Sequence, residues 1–281
     1  MTKKNTNKFS MKETALVKEV FDADSTFLFA DKVSIKEDLR IRILRELNGF
    51  INSFFNDLKI IRIELEIKDL LDFLTFYNDN PARDGAGATR YNNLLWLFIF
   101  CRCLRPEIIV ESGVYIGRSL WTLRKASPGA ELYAFDIDLK RLKFHDDSIT
   151  YREMDWSQYE VQAKSRNDLC YFDDHINNCL RIKQAYERGF KHIIFDDSPS
   201  VMNLHSFRFP GVPTAQMILD NNLKEGDVIT WKWQDKILRY THSESYTFAV
   251  RDMIERIVVL PNLVKYTGQE GSEHFVYVHL K

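Results

Sequence analysis

Residues Ile108–Asp138 read IIVESGVYIGRSLWTLRKASPGAELYAFDID, and the rest of the chain is organised around them. Ile108, Ile109 and Val110 are a short β-branched run of the kind that fills a buried parallel strand. Gly113 and Gly117 bracket a turn in which glycine admits positive φ and close approach of the backbone. A helix follows, with Leu120 and Leu123 on one side, and stops near Ser127-Pro128-Gly129. A second strand, Leu132 to Phe135, runs into Asp136 and Asp138. This is half of a Rossmann-like unit, which binds ligands at the carboxyl ends of its strands.

The turn Glu111-Ser112-Gly113-Val114-Tyr115-Ile116-Gly117-Arg118-Ser119 is not a dinucleotide fingerprint, which needs bare glycines around a pyrophosphate. Three bulky residues separate its glycines, and Glu111 favours a cation over a phosphate. The pattern resembles motif I of class I S-adenosylmethionine-dependent methyltransferases. That resemblance implies a loop holding the methionine part of the cofactor, carried here by Glu111, Gly113, Tyr115, Gly117 and Ser119. It also implies that Asp136 accepts hydrogen bonds from the ribose hydroxyls. A βα turn of some other doubly wound protein is the alternative reading.

The 281 residues are 45% hydrophobic and 28% charged, enough for one large domain or a domain with an extension. A net charge of −1 gives no electrostatic case for nucleic acid or an anionic membrane. Cys101, Cys103, Cys170 and Cys179 show neither zinc spacing nor a disulfide framework, which fits a reducing cytoplasm. No signal-peptide core follows the basic N-terminus, and the apolar run from Leu94 to Phe100 is too short for a bilayer.

The expected organisation is an N-terminal helical extension over residues 1–80 and a Rossmann-like domain over residues 81–281. Its fold class is α/β, a seven-stranded mostly parallel sheet with helices on both faces. Residues 1–12 are expected to be disordered, with a short amphipathic segment around Leu16, Val17, Val20 and Phe21. Ser34 is a candidate N-cap for a helix over residues 35–58, and Ile61 and Ile63 begin an ambiguous stretch before a helix over residues 64–77. Such helices resemble the arms that cover active sites or join subunits in small-molecule methyltransferases, so a homodimer is expected; an arm that only completes the core is the alternative. The glycine-rich stretch from Arg83 to Arg90 reads as a lid or a plain linker. Asp227 to Trp233 is read as the sixth strand, Phe248 to Ile257 as helix in a long insertion, and His274 to Leu280 as the closing strand.

Later strands add carboxylates. In the resembled family an acidic residue after the third strand receives the adenine amino group, a role that falls on Asp155, with Trp156 flanking the ring or packing in the core. The fourth strand ends in Asp173-Asp174-His175 and the fifth in Asp196-Asp197-Ser198. Carboxylates converging at one sheet edge need a positive charge between them, and Mg²⁺ suits oxygen ligands. The arrangement is similar to metal-dependent O-methyltransferases, which places candidate ligands at Asp174, Asp196 and Asp197. Catechol enzymes of that group carry an asparagine where Asp197 stands and a lysine base where Asn177 stands; macrolide-sugar and cephalosporin-hydroxylase-like relatives use three carboxylates. A small-molecule hydroxyl is therefore the expected acceptor, activated at the metal, with Asp174 and His175 in the catalytic group and His175 the first candidate for the base. Phe207, Arg208 and Phe209 are candidates for the acceptor pocket, with plain surface loop as the alternative. A metal-free methyltransferase, a cephalosporin-hydroxylase-like oxygenase and a noncatalytic cofactor-binding protein remain competing readings.

Overall fold

The computed structural model describes residues 25–27, 34–59, 65–269, 271 and 274–281. The expectations for the N-terminal tail, for Leu16, Val17, Val20 and Phe21, and for Ile61 and Ile63 fall outside the described residues.

A short antiparallel ribbon, β1 (Ser25–Phe27) and β2 (Ser34–Lys36), leads into α1 (Glu37–Leu58), α2 (Ile67–Asn78) and α3 (Tyr91–Leu104). Ser34 is in the ribbon, so Lys36 rather than Ser34 takes the extended N-cap backbone of α1. Leu44, Leu47, Ile51, Phe55 and Leu58 give α1 one apolar stripe. In α3 every residue but Arg102 is buried, as expected of a helix apolar all round. The stripe of α1 meets α3 through Phe55, whose ring stands edge-on to Phe100 at 5.2 Å. Phe73 of α2 packs the same way on Tyr91 at 5.3 Å. The extension thus shares one core with the sheet, through Ile109, Leu132, Tyr171 and Tyr277.

The sheet begins with β3 (Ile108–Ser112), followed by α4 (Arg118–Ala126), β4 (Glu131–Asp136), β5 (Ile149–Glu153), β6 (Leu169–Phe172), α5 (Asn178–Glu187) and β7 (His192–Phe195). After α6 (Ala215–Asp220) come β8 (Val228–Trp233), β9 (Lys236–Thr241), α7 (Glu244–Arg251), β10 (Ile254–Val259), α8 (Val264–Thr267) and β11 (Val276–Leu280). The seven-stranded sheet has the order β5-β4-β3-β6-β7-β11-β10. All its neighbours pair in parallel except β11, which runs against both β7 and β10. The fold is α/β and doubly wound: strand order reverses between β3 and β6, so the crevice lies at the carboxyl ends of those two strands.

Two expected elements exchange roles. Val228–Trp233 does not join the large sheet but pairs with β9 in a separate hairpin. Its residues alternate between exposed and half-buried, as a strand wetted on one face must. The sixth strand of the large sheet in chain order is instead β10, which overlaps the end of the stretch expected to be helical. Ile254, Ile257, Val258 and Val259 are β-branched and pair along β11, whereas the helix covers only Glu244–Arg251. After β4, Leu139–Arg141 form a single tight turn.

Candidate active site

The turn after β3 is shaped by contact with the neighbouring strand. Gly113 has φ 93°, and a Cβ there would lie 2.4 Å from the backbone carbonyl carbon of Asp173. Only glycine lets the ends of β3 and β6 come so close. Tyr115 (φ 49°) and Gly117 (φ 84°) complete the reversal into α4. Asp136, at the end of β4, accepts from the Val114 and Tyr115 amides through Oδ2 at 2.9 and 2.8 Å, and from the Asp138 amide through Oδ1 at 2.9 Å. A carboxylate has about four acceptor sites, so one stays open to a further hydrogen-bond donor.

Glu111 is fully buried. Its Oε1 accepts from the Ser119 hydroxyl at 2.5 Å, while Oε2 has no hydrogen-bond partner among the described residues. Burial, with the Asp136 charge adding to it, pushes its carboxyl up to about 8. A buried carboxyl with an unsatisfied oxygen favours a cationic ligand group, such as an ammonium. Beside Asp136, Ile137 is 82% exposed, an apolar side chain free to cover a flat ring at the sheet edge. Sequence reading missed Ile137 because an isolated aliphatic residue after a strand carries no signal of exposure.

The acidic residues divide differently from the expected set. Asp174 turns away from the crevice and binds Arg181 of α5, accepting from its Nε at 2.8 Å and lying 2.7 Å from its Nη2. Asp155 holds the other side of the same guanidinium, at 2.5 Å from Nη2, and caps the turn at Ser157. Burial raises its carboxyl, but the hydrogen bonds from Arg181 and Ser157, with the Arg181 charge, outweigh it and bring the carboxyl down to about 2. Arg181 itself is enclosed, lying over the rings of Trp156 and Phe172 at 5.9 and 5.6 Å. Asp174, expected as metal and catalytic candidate, and Asp155, expected as adenine acceptor, are thus both engaged in an ion pair with Arg181. Trp156 is wholly buried against Phe172 and Arg188 and presents no face to the crevice. Arg181 escaped sequence reading because a basic residue in an amphipathic helix ordinarily points to solvent.

The grouping that does form is Asp173, His175 and Asp197, whose ligand atoms all lie within 4.8 Å of one another. Left-handed backbone at His175 (φ 57°) and Asp197 (φ 48°) turns both side chains there. Opposite oxygens around Mg²⁺ are about 4.2 Å apart and around Ca²⁺ about 4.6–5.2 Å, so a divalent cation fits this span with little adjustment. Asp196, also expected as a ligand, is satisfied by protein: its carboxylate accepts from Asn93 at 3.0 Å, Tyr171 at 3.2 Å and the Asp197 amide at 2.9 Å. Burial and mutual repulsion push Asp173 well above the carboxylate range and Asp196 up to about 7; burial takes Asp197 to about 6, with Arg90 opposing it. His175 sits in the ligand group rather than behind it, so its imidazole is a candidate ligand as much as a candidate base.

Loops follow β7 as far as α6. Asn178 fixes them, donating its amide to the Gly211 and Pro213 carbonyls and accepting from Ser198 and Ala215. Arg208 stacks over Phe209 at 4.7 Å and Trp233 at 5.3 Å, and the Trp231 indole donates to the Phe207 carbonyl. A cleft of about 460 Å³ lies elsewhere, at the amino ends of β3 and β4 between α2 and α3, lined by Arg102, Cys103 and Ser127. It is remote from the crevice and holds no converging catalytic groups.

No protein-family model matches this sequence, and no curated protein matches it. Solved structures do show likenesses. One is a magnesium- and S-adenosylmethionine-bound form of CmcI, at 17% identity and TM-score 0.41 over 67% of this chain and 72% of that one. Another is the Bacillus cereus O-methyltransferase in complex with SAH, at 15% identity and TM-score 0.41 over 85% of this chain and 100% of the other. A third is an SAH-bound Podospora anserina methyltransferase, at 12% identity and TM-score 0.42 over 90% and 99%. With likenesses this distant, the fold assignment rests on the sheet itself. Among the described residues no helix is long and apolar enough to cross a membrane.

Proposed function

We propose that the chain is an S-adenosylmethionine-dependent O-methyltransferase acting on a hydroxyl of a small molecule, a sugar or other natural-product intermediate, with a divalent cation assisting. The observation that carries this reading is the shared edge: the β3 turn, Asp136 and the Asp173–His175–Asp197 group all lie at the carboxyl ends of adjacent parallel strands. Glu111 and the turn would take the amino acid end of the cofactor, Asp136 a ribose hydroxyl, and Ile137 a face of the adenine. Asp173, His175 and Asp197 would hold the cation, which when bound lowers the pKa of an alcohol and fixes its oxygen.

The chain's own groups supply the remainder. The acceptor oxygen must approach the methyl carbon in line, and the loops fixed by Asn178 set that approach. Aromatic Phe209 and Trp233, with Arg208 between them, offer a wall suited to a ring-bearing acceptor. The test is methyl transfer from radiolabelled S-adenosylmethionine to a panel of hydroxylated small molecules, with and without EDTA. Label in a product ether, lost on chelation and in Asp173→Asn, supports the reading. Label that survives EDTA removes the cation from it, and absence of transfer to any hydroxyl removes the proposed acceptor class.

A further inference from the structure

Arg118 is the first residue of α4, directly after Gly117 of the turn. Its guanidinium leaves the helix for the segment from Asn80 to Thr89. Nε donates to the Ala82 carbonyl at 3.1 Å; Nη1 donates to Ala88 at 3.4 Å and Thr89 at 3.0 Å; Nη2 donates to Gly85 at 2.5 Å and also to Arg83. A guanidinium has five N–H donors, and here each has a backbone carbonyl. Among the described residues no carboxylate lies within ion-pair distance of it, and partial burial lowers its pKa. The neighbouring contacts tighten the same joint. Asn80 donates to the Arg118 carbonyl at 3.0 Å, and the Tyr115 hydroxyl donates to the Ala86 carbonyl at 3.3 Å. At Gly85 an added Cβ would lie 1.9 Å from Ile116 Cδ1, so loop and turn are in direct contact.

The loop's far end reaches the acidic group. The Thr89 hydroxyl lies 3.0 Å from the Tyr171 hydroxyl, which donates to Asp196 at 3.2 Å. Asn93, one turn further on, donates to the same carboxylate. Arg90, between them, places its charge within electrostatic reach of the Asp197 carboxylate.

We infer that Arg118 is a positioning residue that makes residues 82–89 a fixed wall of the cofactor crevice and joins the β3 turn to the Asp196–Asp197 group through Thr89. The inference rests on the proposed cofactor reading for its functional half only. Lysine at 118 keeps the charge but has three donors on one atom, and cannot reach carbonyls spread along eight residues.

The test compares wild type with Arg118→Lys by hydrogen exchange, thermal melting and calorimetric titration with S-adenosylhomocysteine. The expected result is exchange across 82–89 at least tenfold faster, unchanged protection in α3 and β3, and an affinity at least tenfold weaker. A tie that served stability alone would lower the melting temperature and leave the affinity of the folded protein within twofold, which overturns the inference. So does unchanged protection of 82–89. If Arg118→Lys does not fold, Gly85→Val forces the loop from the turn with Arg118 intact, and the same two readouts decide. Wild type that binds no S-adenosylhomocysteine refutes the cofactor reading and the functional half with it, while the exchange comparison still decides the clamp.

Discussion

Glu111 concentrates the electrostatics of the crevice in one side chain. Its folded pKa is raised from 4.5 to about 8 by burial, so the folded state binds its proton more tightly than the unfolded chain does. The stabilisation is complete below 4.5 and is lost as pH rises towards 8, at a limiting slope of about 1.4 kcal/mol per pH unit. Glu111→Gln should flatten urea-derived stability between pH 5 and 8 relative to wild type; equal slopes in the two proteins would remove Glu111 as the cause. The glycine spacing and Glu111 were legible in the sequence because the turn is local. That Asp136 spends three acceptor sites on amides, two of them in that turn, was not legible, since it depends on how β3 and β4 align.

At the level of elements, Arg181 joins the loops after β5 and β6 to α5 by holding Asp155 and Asp174 together. Removing one partner of a buried ion pair leaves uncompensated charge, at a cost of about 3–5 kcal/mol. Arg181→Met should lower unfolding free energy by about that amount in denaturant titration, and a change below about 1 kcal/mol would show the two carboxylates to be adequately solvated without it. β3, β6 and β7 were legible because each is a short, mostly apolar run buried on both faces. The last third was not. β8 and β10 have similar lengths and β-branched content, and only the antiparallel partner β11 decides which of them enters the sheet. The paired aspartates likewise announced an acidic edge but not its division: adjacent residues after a strand point opposite ways, and Asp173, not Asp174, faces Asp197.

The whole molecule places several raised carboxyls at one edge of one sheet, with Asp196 at about 7 and Asp197 at about 6. All are raised, so all destabilise the fold progressively as pH rises through those values, and a bound cation would oppose this. Millimolar Mg²⁺ or Mn²⁺ should therefore raise the melting temperature more at pH 8 than at pH 5.5, and Asp197→Ala should abolish the difference. Equal shifts at both pH values, or a shift retained in Asp197→Ala, would place the cation elsewhere. The central claim is that the β3 turn and Asp136 hold S-adenosylmethionine, and calorimetric titration of wild type and Asp136→Ala with S-adenosylhomocysteine tests it most directly. One site per chain with micromolar affinity is expected in wild type, and at least tenfold weaker binding in the variant. No heat in wild type, or equal affinity in both, would contradict it.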